Sequence, residues 1–268
     1  MKTIEFTKMH GAGNDYIYVD AAKYPLQNPE KLAIKWSRPH FGIGADGLVL
    51  ICSSEVADFR MRIFNADGSE ATMCGNASRC IGKYVYENGL SKKTELTLET
   101  LAGIKKLNLE VKEGKVSRLS VNMGQAVIKG KAVLEAKGIL YSGWIVSMGN
   151  PHFVIIVNDL AAIDLPLLGP LLGKHPMFES GTNVEFVQVL SRKRLRMRVW
   201  ERGSGITLAC GTGASASVVA ASAAGKCADR VTVEMDGGEL EILLDSKSRE
   251  VLMCGDAVKV FQGQIDLD

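Results

Sequence analysis

One spacing recurs along this 268-residue chain and limits what it can fold into. Asn14 and Asn150 stand 136 residues apart (150 − 14), and so do Cys74 and Cys210 (210 − 74). At that one offset, without a gap, Gly13-Asn14 lies on Gly149-Asn150, Met61-Arg62-Ile63-Phe64 on Met197-Arg198-Val199-Trp200, and Cys74-Gly75 on Cys210-Gly211. A single short identity arises by chance. Several blocks sharing one offset imply two halves of one fold, each about half the chain, related by duplication. Halves of similar fold tend to pack with a cleft between them, where small-molecule sites prefer to lie. If a pseudo-twofold axis relates them, equivalent residues face each other across that cleft, and Cys74 is expected opposite Cys210.

Each half mixes strands and helices. Ile4–Met9, Tyr16–Asp20, Leu48–Cys52 and Phe59–Asn65 read as strands, being rich in β-branched and aromatic residues. Asn28-Pro29-Glu30 reads as a helix start, with Asn at the cap, Pro in the first turn, and Leu32, Ile34 and Trp36 following. A second helix is expected from near Cys74 to Gly89, then strands at Thr94–Thr100, Ile104–Val111 and Val116–Val121. The programme then repeats. Strands are expected at Trp144–Met148, Phe153–Asn158, Asn183–Leu190 and Leu195–Glu201, and a helical stretch at Leu165–Gly173. A helix follows from near Cys210 to Gly225, and strands at Arg230–Met235, Leu240–Leu244 and Val258–Phe261 close the chain. From Ala214 to Ala224 the side chains are small on every side, with no polar stripe. That helix is expected to be buried all round, threaded through a curved sheet.

Charge and composition exclude several classes of function. Thirty-two Lys+Arg against 30 Asp+Glu leave a net charge of +2, so no global basic field argues for nucleic acid. The short run Arg192-Lys193-Arg194 reads as a solvated turn between strands. No apolar run approaches a membrane span, and Met1-Lys2-Thr3-Ile4-Glu5-Phe6 lacks a signal-peptide segment, so a cytoplasmic location is expected. The six cysteines should then be reduced. Cys52, Cys80, Cys227 and Cys254 read as small buried residues. No CxxC pair or Cys/His cluster with zinc spacing occurs, and no metal is expected.

Cys74 and Cys210 differ from the other four. Each follows a strand and a Gly-containing turn and stands at the start of a helix. A helix N-terminus offers backbone N–H groups without intrahelical partners and the positive end of a dipole. It lowers a thiol's pKa and binds carboxylates. Two such termini converging would clamp a substrate carboxylate, with one thiol on each face of the carbon that bears it. A thiolate on one face removes a proton and a thiol on the other delivers one, which inverts a stereocentre. A lone helix-start cysteine is more often a cap or a packing residue, and a Cys74–Cys210 disulfide on oxidation is a further reading.

At these residues the chain resembles diaminopimelate epimerase. The segments that carry the likeness are Lys8-Met9-His10-Gly11-Ala12-Gly13-Asn14-Asp15-Tyr16, Phe64-Asn65-Ala66-Asp67-Gly68-Ser69, Met73-Cys74-Gly75-Asn76, Met148-Gly149-Asn150-Pro151-His152, and Glu201 through Gly213. The resemblance implies an α+β fold of two pseudo-symmetric halves. Each is a curved, mostly antiparallel sheet wrapped around a central helix, with the active site in the cleft between them. It implies an N-terminal half of residues 1–121 joined by segment 256–268, and a C-terminal half of 122–255. It implies cofactor-independent interconversion of LL- and meso-diaminopimelate, with Cys74 and Cys210 as acid/base groups and His152 and Glu201 tuning or relaying their protons. Substrate contacts carry over to Asn14, Asn65, Asn150, Asn183, Glu201 and Arg202 and to the backbone of Gly75, Asn76, Gly211 and Thr212. A homodimer is implied, with no cofactor, nucleic-acid or membrane partner. Two departures stand out: Gly47, where many members have Gln, and Ala77, where many have Gly. Tyr16 for a common Phe is mild.

Three rival readings have discriminating features. A proline or hydroxyproline racemase of the same fold would not need Glu201-Arg202 to hold a second charged end. A non-catalytic amino-acid-binding protein would not need both cysteines. A nicotinamide-binding protein would show the third glycine that His10-Gly11-Ala12-Gly13-Asn14 lacks.

Overall fold

A computed structural model describes residues 2–267. In chain order the elements are β1 (Lys2–Gly11), β2 (Asn14–Asp20), α1 (Pro29–Ser37), β3 (Gly47–Cys52), β4 (Phe59–Asn65), β5 (Glu70–Ala71), α2 (Gly75–Glu87), β6 (Glu95–Thr100), β7 (Gly103–Lys112) and β8 (Lys115–Gln125). They continue with β9 (Val127–Ala136), β10 (Ile139–Ser147), β11 (Pro151–Val157), α3 (Leu165–Gly173), β12 (Asn183–Ser191), β13 (Arg194–Glu201), β14 (Gly205–Ile206), α4 (Gly211–Ala223), β15 (Arg230–Met235), β16 (Gly238–Leu244), β17 (Glu250–Gly255) and β18 (Val258–Leu267). Two compact units result. One takes the chain up to Val121 together with Gly255 onward, and the other is Asn122–Cys254.

The units share one strand order. In the first, the ladder runs β18–β1–β2–β3–β4–β6–β7–β8. In the second it runs β9–β10–β11–β12–β13–β15–β16–β17. Among the described residues of these two ladders, only β2–β3 and β4–β6 are parallel in the first, and only β11–β12 and β13–β15 in the second. A parallel neighbour needs a crossover, and the four helices supply those crossovers. The offset of 136 maps both ends of α1 onto α3 (29 to 165, 37 to 173) and of α2 onto α4 (75 to 211, 87 to 223). The C-terminal strand β18 pairs with β1, as β9 pairs with β10 in the other unit.

Each sheet curls around its cysteine helix. α4 packs against β10, β11, β12, β13, β15 and β16, and α2 against β1, β2 and the distant β7. The small side chains of α4 permit this, and everything from Gly213 to Ala221 is buried. Its two buried serines stay satisfied by bonding their own helix: Ser215 Oγ donates to the Gly211 carbonyl (2.9 Å) and Ser217 Oγ to that of Gly213 (2.7 Å). Both helices stop at a left-handed glycine, Gly89 (φ 74°) and Gly225 (φ 71°). On the opposite face of the first sheet, Ile17 and Val19 of β2 and Leu48 and Leu50 of β3 cluster with Ala33 and Trp36 of α1. Period-2 alternation sends Tyr18 the other way, toward Cys80 of α2.

Several local expectations needed correction. Asn28 occupies the cap of α1 but lies in the left-handed region (φ 50°), so its side chain makes no cap bond. Its carbonyl accepts from Lys31 and Leu32 instead. Cys52 is half-buried, whereas Cys80, Cys227 and Cys254 are buried. Strand β9 and the first half of β10 had no counterpart in the sequence reading. The core residues of β9, Ala132, Leu134 and Ala136, are few and interleaved with Lys131 and Glu135.

Candidate active site

The two cysteines are the caps of α2 and α4, in nearly identical backbone conformations (φ −138°, ψ 119° for Cys74; φ −132°, ψ 109° for Cys210). Cys74 Sγ accepts from the Ala77 N–H at 3.5 Å, and Cys210 Sγ from the Gly213 N–H at 3.3 Å. A cap side chain meets the helix where orphan N–H groups and the dipole favour an anion. The duplicated sequence has therefore placed a sulfur at the same electrostatic position twice.

In the first unit two predicted residues, Asn14 and Asn76, come together with Cys74. Asn14 Oδ1 accepts from Cys74 Sγ and from Asn76 Nδ2, each at 3.4 Å. Asn14 Nδ2 donates to Asp46 (2.7 Å), whose carboxyl is pushed up by burial and by the charge of Asp15. Asn65 instead holds its own turn through Ser69 Oγ (3.0 Å). One further residue escaped the sequence reading. Arg79, one turn into α2, is fully buried; it donates to Asn76 Oδ1 (3.0 Å) and, through Nε, to the Asp256 carbonyl (3.0 Å). Nothing local separates it from a solvated helix arginine, because Asp256 lies 177 positions away.

The second unit surrounds its cysteine with ionisable groups. Cys210 is 5% exposed, and its thiol is held well above the ordinary range by burial and by the charges of Glu201 and Glu185. The lowering expected of the helix start is present, as the Gly213 N–H and Thr212 hydrogen bonds, but it is outweighed. Glu201, on β13, is hydrogen-bonded to Thr207 and to Cys210. His152 does not touch the thiol. Its Nδ1 faces Glu185 Oε1 at 2.6 Å and its Nε2 faces Asn150 Oδ1 at 3.0 Å. Asn150 Nδ2 donates to Thr212 Oγ1 (3.3 Å), which lies 3.5 Å from Cys210 Sγ. Asn183 is occupied structurally, donating to the Pro151 carbonyl (3.0 Å) and accepting from the Arg202 N–H (2.9 Å). The Arg202 side chain is exposed and donates to the Ser180 carbonyl (3.2 Å).

The family model for diaminopimelate epimerase matches this chain over residues 6–129 and 144–260. The chain belongs to the diaminopimelate epimerase family. It is 58% identical over 265 residues to the diaminopimelate epimerase of Parabacteroides distasonis, covering 98% of each chain. It is 56% identical over 277 residues to that of Phocaeicola vulgatus, covering 99% of each, and 46% identical to one from Methanococcus maripaludis, covering 98% of this chain and 100% of the other. Among solved structures it is similar to a Bacillus anthracis phenazine biosynthesis protein of the PhzF family (TM-score 0.78, 20% identity, all of both chains). It is also similar to a probable proline racemase from Agrobacterium radiobacter (TM-score 0.76, 18% identity, 99% of this chain and 93% of the other). At such identities these two likenesses concern the fold.

In this diaminopimelate epimerase family member, the offset of 136 shows how equivalent positions have diverged. Asn65 corresponds to Glu201, Val49 to Glu185, Tyr16 to His152, and Arg79 to Ser215. One cysteine thus has a buried cation one turn along its helix, and the other has two carboxylates. Two results should follow. In native protein at about pH 8, iodoacetamide should alkylate Cys74 at least about tenfold faster than Cys210. Cys74 is half-buried, whereas Cys210 is enclosed and its thiol raised. Burial also pushes Cys80 to about 12 and Cys227 to about 11, so these should lag too; peptide mass spectrometry reads the order.

The second result concerns Glu201, whose carboxyl is raised chiefly by burial. A carboxyl raised on folding keeps its proton longer in the native state than in the unfolded one. Stability therefore falls as pH climbs from the ordinary carboxylate range toward the raised value. Glu201→Gln removes that loss. Its melting temperature should match wild type near about pH 4 and exceed it at about pH 7.5, by about 2–4 °C for each kcal/mol of relieved charge burial. Calorimetry at both pH values checks this, and a gap independent of pH would contradict it.

Proposed function

We propose that this protein interconverts LL- and meso-2,6-diaminopimelate without a cofactor, in a two-base reaction carried by Cys74 and Cys210. The observation that carries the reading is the pair of cysteine caps on duplicated helices, in a chain of this family. The reaction requires both thiols to reach one α-carbon, from opposite faces. One sulfur, as thiolate, removes the α-proton; the other, as thiol, protonates the opposite face. The reverse direction exchanges the roles.

The two surroundings suit a division of labour at rest. The carboxylates near Cys210 favour its protonated form, which is the form that delivers a proton. Glu201, hydrogen-bonded to Cys210, is the acceptor for that proton when the direction reverses. The first N–H groups of α2 and α4, at Gly75, Asn76, Gly211 and Thr212, are suited to the substrate carboxylate as negative charge spreads onto it. Asn14 and Asn150 each present an amide beside a cysteine cap, which suits the ammonium and carboxylate at the reacting end. In this reading Asn65, Asn183 and Arg202 serve the distal end, with the exposed guanidinium of Arg202 on the second carboxylate. His152 acts through Asn150 and Thr212 rather than by direct contact with Cys210. A cytoplasmic homodimer accompanies this reading; among the described residues no helix is long and apolar enough to cross a membrane.

The test is LL-diaminopimelate in deuterated water without pyridoxal phosphate. Meso product carrying α-deuterium is the expected result. No deuterium uptake by any diaminopimelate isomer would sink the reading, and uptake by proline instead would support a racemase of the other kind.

A further inference from the structure

We propose that Glu185 is a positioning residue of the Cys210 half-site: it fixes the imidazole of His152, and through it the Asn150–Thr212 pair that meets the thiol. The inference rests on the reading of Cys210 as an acid/base group.

Glu185 lies in β12 within Asn183-Val184-Glu185-Phe186-Val187, every residue of which is buried. A carboxylate there is costly unless it is paired and hydrogen-bonded. It is only half paired. Oε1 meets His152 Nδ1 at 2.6 Å, with both side chains fully buried, while Oε2 is buried and has no hydrogen-bond partner. The fold itself does not need the charge. The equivalent strand of the first unit carries Val49 there, equally buried, in the same parallel-then-antiparallel register (β2–β3–β4 against β11–β12–β13).

Three positions have diverged together. Where the first unit has Tyr16, Val49 and Ala77, the second has His152, Glu185 and Gly213. Gly213 is in the first turn of α4, and a Cβ built on it would stand 2.8 Å from Glu185 Oε1 and 3.2 Å from Cys210 Sγ. The glycine thus makes room for the carboxylate beside the cysteine. Both ring nitrogens of His152 face oxygens that accept, so each carries a hydrogen: Nδ1–H donates to the Glu185 carboxylate and Nε2–H to Asn150 Oδ1, 3.0 Å away. From there the chain runs through Asn150 Nδ2 to Thr212 Oγ1 (3.3 Å) and on to Cys210 Sγ (3.5 Å). The ionisable groups around the dyad are Glu185 itself, His152 from β11, Glu201 from β13, and Cys210 at the start of α4.

The experiment uses Glu185→Gln in the full chain, which keeps the size of the side chain and removes the charge. The first readout needs no substrate: ¹⁵N-edited spectra of the His152 ring in free protein, assigned with His152→Asn. Wild type should show hydrogen on both ring nitrogens, and the variant, without the carboxylate's charge, should show only one. The second is steady-state epimerisation, where kcat should fall about 10²-fold with KM within about threefold, since the imidazole is still present but mis-set. Either readout staying at its wild-type value overturns the proposal. If the glutamine variant fails to fold, the double variant Glu185→Val with Gly213→Ala takes its place, because the first unit packs that combination. A cooperative melt at or above the wild-type temperature with the same loss of kcat supports positioning. A cooperative melt with wild-type kcat overturns it. If wild type does not epimerise diaminopimelate, the functional reading falls, and the ring spectra alone decide whether Glu185 sets His152.

Discussion

Replacing Cys74 or Cys210 by alanine should each lower epimerisation by about 10³-fold or more, while leaving a folded protein. In the proposed reaction each thiol supplies one of two proton transfers, from its place at the start of its helix. The structural cost is separate and small. Both sulfurs are cap acceptors at 3.5 and 3.3 Å, and losing a cap costs about 1 kcal/mol, or about 2–4 °C of melting temperature in a chain of this size. Serine at either position distinguishes the two roles. Its hydroxyl restores the cap, and with it the melting temperature. It does not restore the rate, because a hydroxyl ionises far less readily than a thiol. Turnover near the wild-type rate in either alanine variant would end the two-base mechanism.

Gly47→Ala should be among the most damaging single-methyl additions in the first unit, costing about 3 kcal/mol or more in urea unfolding at unchanged m. A Cβ there would lie 2.0 Å from the Phe64 carbonyl oxygen, 2.9 Å from the Tyr16 ring and 3.0 Å from Asn65 Cα. Two of those three contacts are backbone of the paired strand β4, where Gly47 faces Asn65, and a paired strand does not yield as a flexible side chain does. A glutamine at this place has no room on this backbone. The equivalent Asn183 does have room in the second unit, where its amide bridges Pro151 and Arg202. A variant within about 0.5 kcal/mol of wild type would contradict this packing.

Features that depend on near neighbours in sequence were legible before any coordinates. A helix cap involves three or four consecutive residues, so Cys74-Gly75-Asn76 and Cys210-Gly211-Thr212 announced themselves, as did the stops at Gly89 and Gly225. Burial of α4 on all sides followed from its composition. Features that depend on a distant strand were not legible. Glu185 looked like one polar residue in an apolar strand, because its partner His152 comes from β11 and its vacancy from Gly213 on α4. Arg79 looked like a surface arginine, because the Asp256 carbonyl it binds belongs to the returning C-terminal segment. Strand β9 was hidden for a third reason. Its apolar alternation is diluted by Gly130 and lysines, and pairing with β10 makes it a strand.

The sequence by itself determined the duplication, the repeated strand–helix programme and the choice of two cysteines out of six, because an offset of 136 is a property of order alone. Tertiary structure decided how the two cysteines differ. Equivalent helix starts predict equivalent thiols, both easier to ionise than usual. Folding encloses Cys210 and brings Glu201 from β13 and Glu185 from β12 beside it, and their charges with burial outweigh the helix dipole. Electrostatic energy depends on distance through space and on exclusion of water, and neither quantity is written along the chain.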